Sequence, residues 1–510
     1  MKPDFIELMD TTLRDGEQTH GLAFSGIEKL TVAKFLLHDL KVDRIEVASA
    51  RVSKGELESV KGITAWAREN DLLDAVEVLG FVDFETSVDW IKEAGGVTMN
   101  LLAKGSEKHC RLQLGKTPEQ HFADVEKTVD YAVSNKFNVN IYLEDFSNGM
   151  KDSRQYVYDF IESLSRQKVK RIMLPDTLGI LTPKLTREFI SDVVEKFPNM
   201  HFDFHAHNDY GLATANSLEA VLTGAKGLHG TINALGERTG NGALEEIVVA
   251  INDHAGFRCN VDEANLIKAS KLVERLSGKR VPGNKPIVGS DVFTQTAGIH
   301  ADGDVKGNLY VNKLLPERFG RTRSYALGKL SGKASIEQNL KELGIELSKE
   351  QKKALLERVV ELGDKKEIVT KEDLPFLIDD ILKTPEEKKI QVVDCKIVSG
   401  YKTRPAATVV LKFAGKEHKG KGEGVGGYDA FMNALRKIAK KTGLQLAELE
   451  DFEIRIPPGG KSDAIVETTI YWRHKNKAFK TIGVDSDQVM ATIKATEKML
   501  NTVVRTLSYK

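Results

Sequence analysis

Short apolar, β-branched runs alternate with helix-patterned stretches over roughly the first 250 residues, and this rhythm constrains the fold more than any other feature of the chain. The runs are Ile6-Glu7-Leu8-Met9, residues 44–48, 75–79, 97–101, 139–143, 171–174 and 201–205, and Gly230-Thr231-Ile232-Asn233. Between them, segments such as residues 28–40 and 216–223 carry apolar residues at helical spacing. Alternation of eight such strands with helices predicts a (β/α)8 TIM barrel, whose usual length is about 250 residues. An open doubly wound sheet is the structural rival. The polar residues favour the barrel. Asp15, Ser49, Lys104, Glu144, Asp176, Thr177, His207 and Glu237 fall at or just after strand ends, the face on which such a barrel carries its active site.

Past residue 260 the rhythm stops. Val281-Pro282-Gly283-Asn284-Lys285-Pro286 reads as an extended arm, and residues 325–384 read as helical, rich in Glu and Lys. Thr384-Pro385-Glu386-Glu387 marks a further boundary, after which alternating strands precede a helix over 429–442 and another over 486–507. The expected division is a catalytic barrel over 1–270, a linker arm over 271–325, a helical subdomain over 326–388 and a C-terminal α+β domain over 389–510. Gly426-Gly427-Tyr428-Asp429-Ala430 is echoed by Gly459-Gly460-Lys461-Ser462-Asp463-Ala464, which predicts two similar halves in that last domain.

Bulk properties narrow the partners. With 74 Lys and Arg against 74 Asp and Glu, the chain offers no general attraction for nucleic acid or an anionic membrane. No apolar run approaches the roughly 18 residues of a membrane helix, and Met1-Lys2-Pro3-Asp4 opens no signal pattern. The three cysteines, Cys110, Cys259 and Cys395, are far apart and read as idle thiols in a reducing compartment. A cytoplasmic protein is expected.

The chemistry concentrates on a few residues. His205 and His207 are two apart on a strand, so both imidazoles face one side. With Asp15 and Asn241 from other strand ends they make a set of N and O ligands for a divalent cation, better suited to Mn2+ or Zn2+ than to Mg2+. Two positions of an octahedral shell then remain for the carboxylate and keto oxygens of a 2-oxo acid. Arg14, permanently charged, is placed to hydrogen-bond the keto oxygen as it gains charge. Thr177 is a candidate anchor for the substrate carboxylate, and Glu144 a candidate general base or water-orienting group. Two glycine-rich runs are discounted. Gly422-Glu423-Gly424-Val425-Gly426-Gly427 lacks a surrounding parallel βαβ unit, and Gly328-Lys329-Leu330-Ser331-Gly332-Lys333-Ala334 is one residue short of a P-loop and ends in Ala.

Residues 10–18 (DTTLRDGEQ), 205–209 (HAHND) and 236–241 (GERTGN) resemble the 2-isopropylmalate synthase, homocitrate synthase and citramalate synthase family, and Gly298-Ile299-His300-Ala301-Asp302-Gly303 and the C-terminal domain extend the resemblance along the chain. It implies an acyltransferase that condenses acetyl-CoA with a 2-oxo acid and then hydrolyses the thioester. It implies Asp15, His205, His207 and Asn241 as metal ligands and Arg14 on the keto oxygen, with Glu144 in proton removal. His300 and Tyr310 are implied to reach the partner's barrel in an obligate homodimer. Whether Glu144 or His300 enolises the acetyl group stays open.

The pocket for the 2-oxo acid is expected near the ends of strands three to five, where Leu79, Leu102 and Tyr142 are bulky and largely apolar. Bulk favours a methyl side chain, and these residues resemble the pyruvate-using branch of the family, giving citramalate for isoleucine biosynthesis. A 2-isopropylmalate synthase acting on 2-oxoisovalerate is the alternative. The C-terminal domain resembles the family's allosteric module. For a pyruvate enzyme it implies isoleucine as inhibitor, held by Tyr428, Asp429, Leu449, Phe452, Ile456 and Val466, with Phe452 in place of a Tyr and so short of one hydroxyl. An acyl-CoA lyase on the same barrel and a non-catalytic amino-acid sensor are the distant alternatives.

Overall fold

Eight parallel strands close on one another in chain order in the computed structural model, which describes residues 5–364, 369–381, 390–455, 466–475 and 477–508. They are β1 (Glu7–Asp10), β2 (Arg44–Ser49), β3 (Val76–Phe81), β4 (Thr98–Lys104), β5 (Asn138–Glu144), β6 (Arg171–Asp176), β7 (Phe202–Ala206) and β8 (Gly227–Gly230). Leu8 opposite Leu228 and Asp10 opposite Gly230 complete the ring. The chain therefore builds a (β/α)8 barrel, not an open sheet.

Strand alternation decides which residues meet the helices. Ile45, Val47, Val78, Leu101, Val139, Ile141, Ile172, Phe204 and Leu228 point outward and pack, fully buried, beneath the surrounding helices. The helices start where local chemistry allows. Ser25 and Glu28 form a reciprocal capping box ahead of Gly26–Lys34, and Thr117 and Gln120 do the same ahead of Pro118–Ser134. Thr182 caps Pro183–Lys196, which carries its proline in the first turn.

The eighth strand lies earlier than its β-branched residues predict. Residues 227–230 read Gly-Leu-His-Gly and carry none of the usual strand composition, whereas Ile232–Ala234 is a short 3-10 turn with Asn233 at φ 61°. Pairing between β7 and β1 sets that strand, and it overrides local propensity.

The chain divides into two compact units, Met1–Phe293 with Asn312–Thr322, and Thr294–Val311 with Arg323–Lys510. The second begins with a parallel pair, β9 (Thr294–Gln295) and β10 (Ser324–Tyr325), and a helix Gly298–Gly307. Helices Lys333–Leu343, Lys349–Asp364 and Leu374–Ile381 share a small core of Ile336, Leu340, Leu355, Val359 and Leu374. Two three-stranded antiparallel sheets follow. The first is β11 (Gln391–Gly400), β12 (Thr403–Phe413) and β13 (Lys416–Glu423), with helix Gly427–Thr442 after it. The second is β14 (Glu448–Arg455), β15 (Val466–His474) and β16 (Lys477–Asp485), with helix Gln488–Ser508.

The halves are alike in architecture, but the two glycine-rich runs are not equivalent. Residues 426–430 open the first half's helix, whereas 459–464 fall between β14 and β15, outside the described residues. The matching glycines are Gly422 on β13 and Gly483 on β16. A Cβ on Gly422 would stand 2.3 Å from Ala434 N, and one on Gly483 1.9 Å from Ala491 O. These glycines let each helix backbone settle against its sheet.

Candidate active site

The turn after β1 is held by the carboxylate of Asp10, which accepts from Thr12 N and Thr12 Oγ1, both at 2.9 Å. Thr12 Oγ1 in turn accepts from Ile232 N at 2.8 Å, tying this turn to the exit of β8. Burial pushes the Asp10 pKa up to about 7. Arg14 and Asp15 are thereby turned in over the barrel mouth, and Asp15 is buried.

At the end of β7, His205 and His207 point the same way. Their Nε2 atoms lie 3.4 and 4.0 Å from Asp15 Oδ2. One potential ligand atom from each of the three falls within 4.8 Å of the others. Asn241 joins them through backbone pairing, because Asn208 N donates to Gly240 O at 2.9 Å and Gly242 N to Ala206 O at 2.8 Å. Gly240 must be glycine, since its φ is +81° and a Cβ would meet Ala234 O at 1.8 Å. Asn241 donates Nδ2 to Asp15 Oδ1 at 3.1 Å and to Leu235 O at 3.0 Å, while its own Oδ1 is buried with no partner.

Burial alone would raise the Asp15 pKa, yet Arg14, His205 and His207 hold it well below the usual carboxylate range. Burial pushes the His207 pKa down to about 4, against the pull of Asp15, so the imidazole is neutral near pH 7. A carboxylate, two imidazoles and an orphaned amide oxygen form a donor set that fits a divalent cation.

Below this cluster the barrel interior is polar. Arg14 Nε pairs with Glu46, its Nη1 donates to Asp15 Oδ2 at 2.9 Å, and its Nη2 donates to Tyr142 Oη at 3.4 Å. Asn100 donates to Glu46 Oε1 at 2.7 Å, and Asn140 to Asn100 Oδ1 at 2.9 Å. Tyr142 Oη also lies 3.2 Å from His229 Nδ1, whose ring places Nε2 3.1 Å from Asp203 Oδ2. Arg44 reaches Asp203 at 2.5 Å and Glu77 at 3.1 Å. Burial pushes the His229 pKa down to about 3. Beside this network sits a separate apolar patch of Met9, Leu79, Tyr142 and Met173, with Leu102 packed against it.

Sequence reasoning passed over Glu46, Asn100, Asn140, Arg44, Glu77, Asp203 and His229. Their signal is a polar residue at alternate positions of otherwise apolar strands, as in Arg44-Ile45-Glu46 and Asp203-Phe204-His205.

The remaining expected residues are distributed as follows. Glu144 ends β5 and pairs with Lys104 at the end of β4. Thr177 Oγ1 accepts from Asp145 N at 2.9 Å, which leaves the hydroxyl its proton to donate. Thr177 O also accepts from Arg238 Nη2 at 2.8 Å, and Arg238 pairs with Asp209 at 2.8 Å, joining three mouth loops. His300 and Tyr310 belong to the second unit, with ring centroids 4.2 Å apart. In the C-terminal halves, Tyr428 stacks on Phe452 at 5.5 Å and its hydroxyl lies 2.9 Å from Thr496 Oγ1. Asp429 accepts from Val425 N at 3.0 Å. Leu449 is exposed on β14 and Val466 is buried at the start of β15. Ile456 lies outside the described residues.

Three successive stretches of the chain match known families. Residues 5–273 match the HMGL-like family, 287–367 the homocitrate synthase post-HMGL domain-like family, and 368–504 the LeuA allosteric (dimerisation) domain. A putative (R)-citramalate synthase of Methanopyrus kandleri is 36% identical over 92% of this chain and 91% of its own length. The (R)-citramalate synthase of Methanocaldococcus jannaschii is 33% identical over 97% of this chain and 99% of its own. A probable 2-isopropylmalate synthase of Methanopyrus kandleri is 34% identical over 99% of both chains.

Proposed function

The chain belongs to the family of (R)-citramalate synthases and 2-isopropylmalate synthases, enzymes that condense acetyl-CoA with a 2-oxo acid, and we propose that the acid used here is pyruvate, giving (R)-citramalate and CoA. The observation that carries this choice is the apolar patch of Leu79, Tyr142, Met9 and Met173 with Leu102. It adjoins Arg14, since Arg14 and Tyr142 are in contact. Bulky side chains there leave room for a methyl group and oppose a branched one, a discrimination of roughly 1–3 kcal/mol per methylene. The same reading makes 2-oxoisovalerate the alternative acid.

Asp15, His205, His207 and Asn241 are the residues that would hold a divalent cation, Mn2+, Zn2+ or Mg2+, and such an ion supplies Lewis-acid polarisation of the keto group when bound. Arg14 has three of its N–H directions committed to Glu46, Asp15 and Tyr142, which fixes the plane of the guanidinium. Its remaining N–H groups donate to the keto oxygen and stabilise the charge that grows there. Thr177 donates its hydroxyl proton to the substrate carboxylate. A proton leaves the acetyl methyl, with Glu144 and, reaching in, the partner subunit's His300 as the two groups suited to take part. The resulting carbon nucleophile adds to the keto carbon, the keto oxygen gains a proton, and water then cleaves the thioester to release the CoA thiol.

We assign the enzyme a homodimeric state and feedback inhibition by isoleucine through the C-terminal domain, on the support of its match to an allosteric dimerisation domain. Tyr428, Asp429, Leu449, Phe452, Ile456 and Val466 are the proposed effector contacts. The test of the reaction is thiol release from acetyl-CoA with Mn2+ and pyruvate, 2-oxobutyrate, 2-oxoisovalerate or 2-oxoglutarate. Pyruvate is expected to give the highest kcat/KM, and a higher value for 2-oxoisovalerate would overturn the assignment.

A further inference from the structure

We propose that His229 is a positioning residue for the 2-oxo acid pocket, accepting the Tyr142 hydroxyl proton at Nδ1 and so turning the Tyr142 oxygen lone pairs toward Arg14. The proposal rests on the reaction assigned above and adds a residue to it.

The argument starts at the foot of the chain of contacts. Asp203 is fully buried and its Oδ2 lies 2.5 Å from Arg44 Nη2. Its Oδ1 faces His201 Nε2 at 3.0 Å, so the ion pair with Arg44 and this contact make Asp203 the acceptor of the cluster. An ionised carboxylate only accepts hydrogen bonds. His229 Nε2, 3.1 Å from Asp203 Oδ2, therefore carries a proton. In the neutral imidazole Nδ1 is then a bare acceptor, and the Tyr142 hydroxyl is 3.2 Å from it.

Tyr142 has one proton and two acceptors within reach. Glu46 Oε2 is the other, at 3.4 Å, and it already takes Arg14 Nε. With the proton on the His229 side, Glu46 remains whole for Arg14, and Tyr142 Oη is left as an acceptor for Arg14 Nη2 at 3.4 Å. The ring that lines the pocket and the guanidinium that meets the keto oxygen are thus set by one buried chain, Arg44–Asp203–His229–Tyr142. His229 touches neither substrate nor the reacting atoms in this scheme. It acts through Tyr142.

The experiment compares His229→Leu, His229→Asn and His229→Gln, alone and with Tyr142→Phe, in the full-length Mn2+-loaded enzyme. The Asn amide reaches the place of Nδ1 and the Gln amide that of Nε2. Steady-state kinetics with pyruvate and 2-oxobutyrate are read beside calorimetric pyruvate binding and thermal melting. His229→Leu is expected to lose about tenfold in pyruvate kcat/KM, mainly through KM, the scale of one hydrogen bond in a charged setting. Discrimination against 2-oxobutyrate falls with it. His229→Asn recovers most of the loss, and His229→Gln does not. In the Tyr142→Phe background, His229→Leu adds less than about twofold. Should His229→Leu fail to fold, the Asn and Gln pair carries the comparison. Equal kinetics for Asn and Gln, additive effects with Tyr142→Phe, or melting changes with unaltered pyruvate KM would overturn the proposal. A wild-type enzyme that binds and turns over no 2-oxo acid would overturn the reaction assignment as well.

Discussion

His205 Nε2 stands 3.4 Å from Asp15 Oδ2, and His207 Nε2 approaches the same oxygen at 4.0 Å. One carboxylate oxygen therefore faces two imidazoles from the end of β7, a geometry that could hold a shared cation. His207→Ala is expected to lower Mn2+ affinity by more than about 100-fold, beyond what loss of an outer contact causes. Titration calorimetry on metal-free protein reads the affinity and circular dichroism the fold. Undiminished affinity would take His207 out of the ligand set.

Leu79 is buried against Met9, Met173 and Tyr142, so its removal opens space in this patch and not in the main core. Leu79→Gly is expected to raise the ratio of kcat/KM for 2-oxoisovalerate over pyruvate by about 10- to 100-fold. Competition assays with both acids measure that ratio. No change in it would place the pocket elsewhere in the barrel.

Much of this was legible in the sequence because the barrel repeats itself. Seven strands announce themselves by short apolar runs between helical stretches, and the site residues follow strand ends, so Asp15, His205, His207 and Asn241 could be grouped without coordinates. The eighth strand was not legible: Gly227-Leu228-His229-Gly230 carries no propensity of its own and is set by its neighbours. Nor was the barrel interior. Glu46, Asn100, Asn140 and Asp203 look like scattered polar residues until closure points alternate positions inward, where each needs a partner from another strand. The echo between residues 426–430 and 459–464 misled for the opposite reason. Similar composition marked two different junctions, and the structural repeat lay in Gly422 and Gly483 instead.

Arg44 is buried between Asp203 and Glu77 and pairs with both. Arg44→Met keeps the length of the side chain and removes the cation in contact with two buried carboxylates. A loss of about 3–5 kcal/mol in stability at pH 7 is expected, the cost of stranding a buried charge. Urea denaturation measures it. A loss below about 1 kcal/mol would mean that water or rearranged neighbours replace the guanidinium.

His121 gives the fold an acid sensitivity that can be isolated. Its Nε2 accepts from Lys104 N at 3.0 Å, pinning the end of β4 behind the Lys104–Glu144 pair. Burial pushes its pKa from 6.5 down to about 4, with Lys116 adding to the effect. Between those values the unfolded chain binds a proton that the folded chain does not. The His121 contribution is therefore complete above about pH 6.5 and is lost as pH falls toward 4, up to about 3 kcal/mol in all. His121→Gln keeps an acceptor near Nε2 and cannot titrate. Urea midpoints measured from pH 7 to 4.5 are expected to fall more steeply for the wild type than for this variant, by about one proton's worth of slope. His207 and His229, also held neutral by burial, contribute equally to both proteins and cancel in the comparison. Parallel pH profiles would show that His121 is protonated in the native state at pH 5 and that Lys104 N does not depend on it.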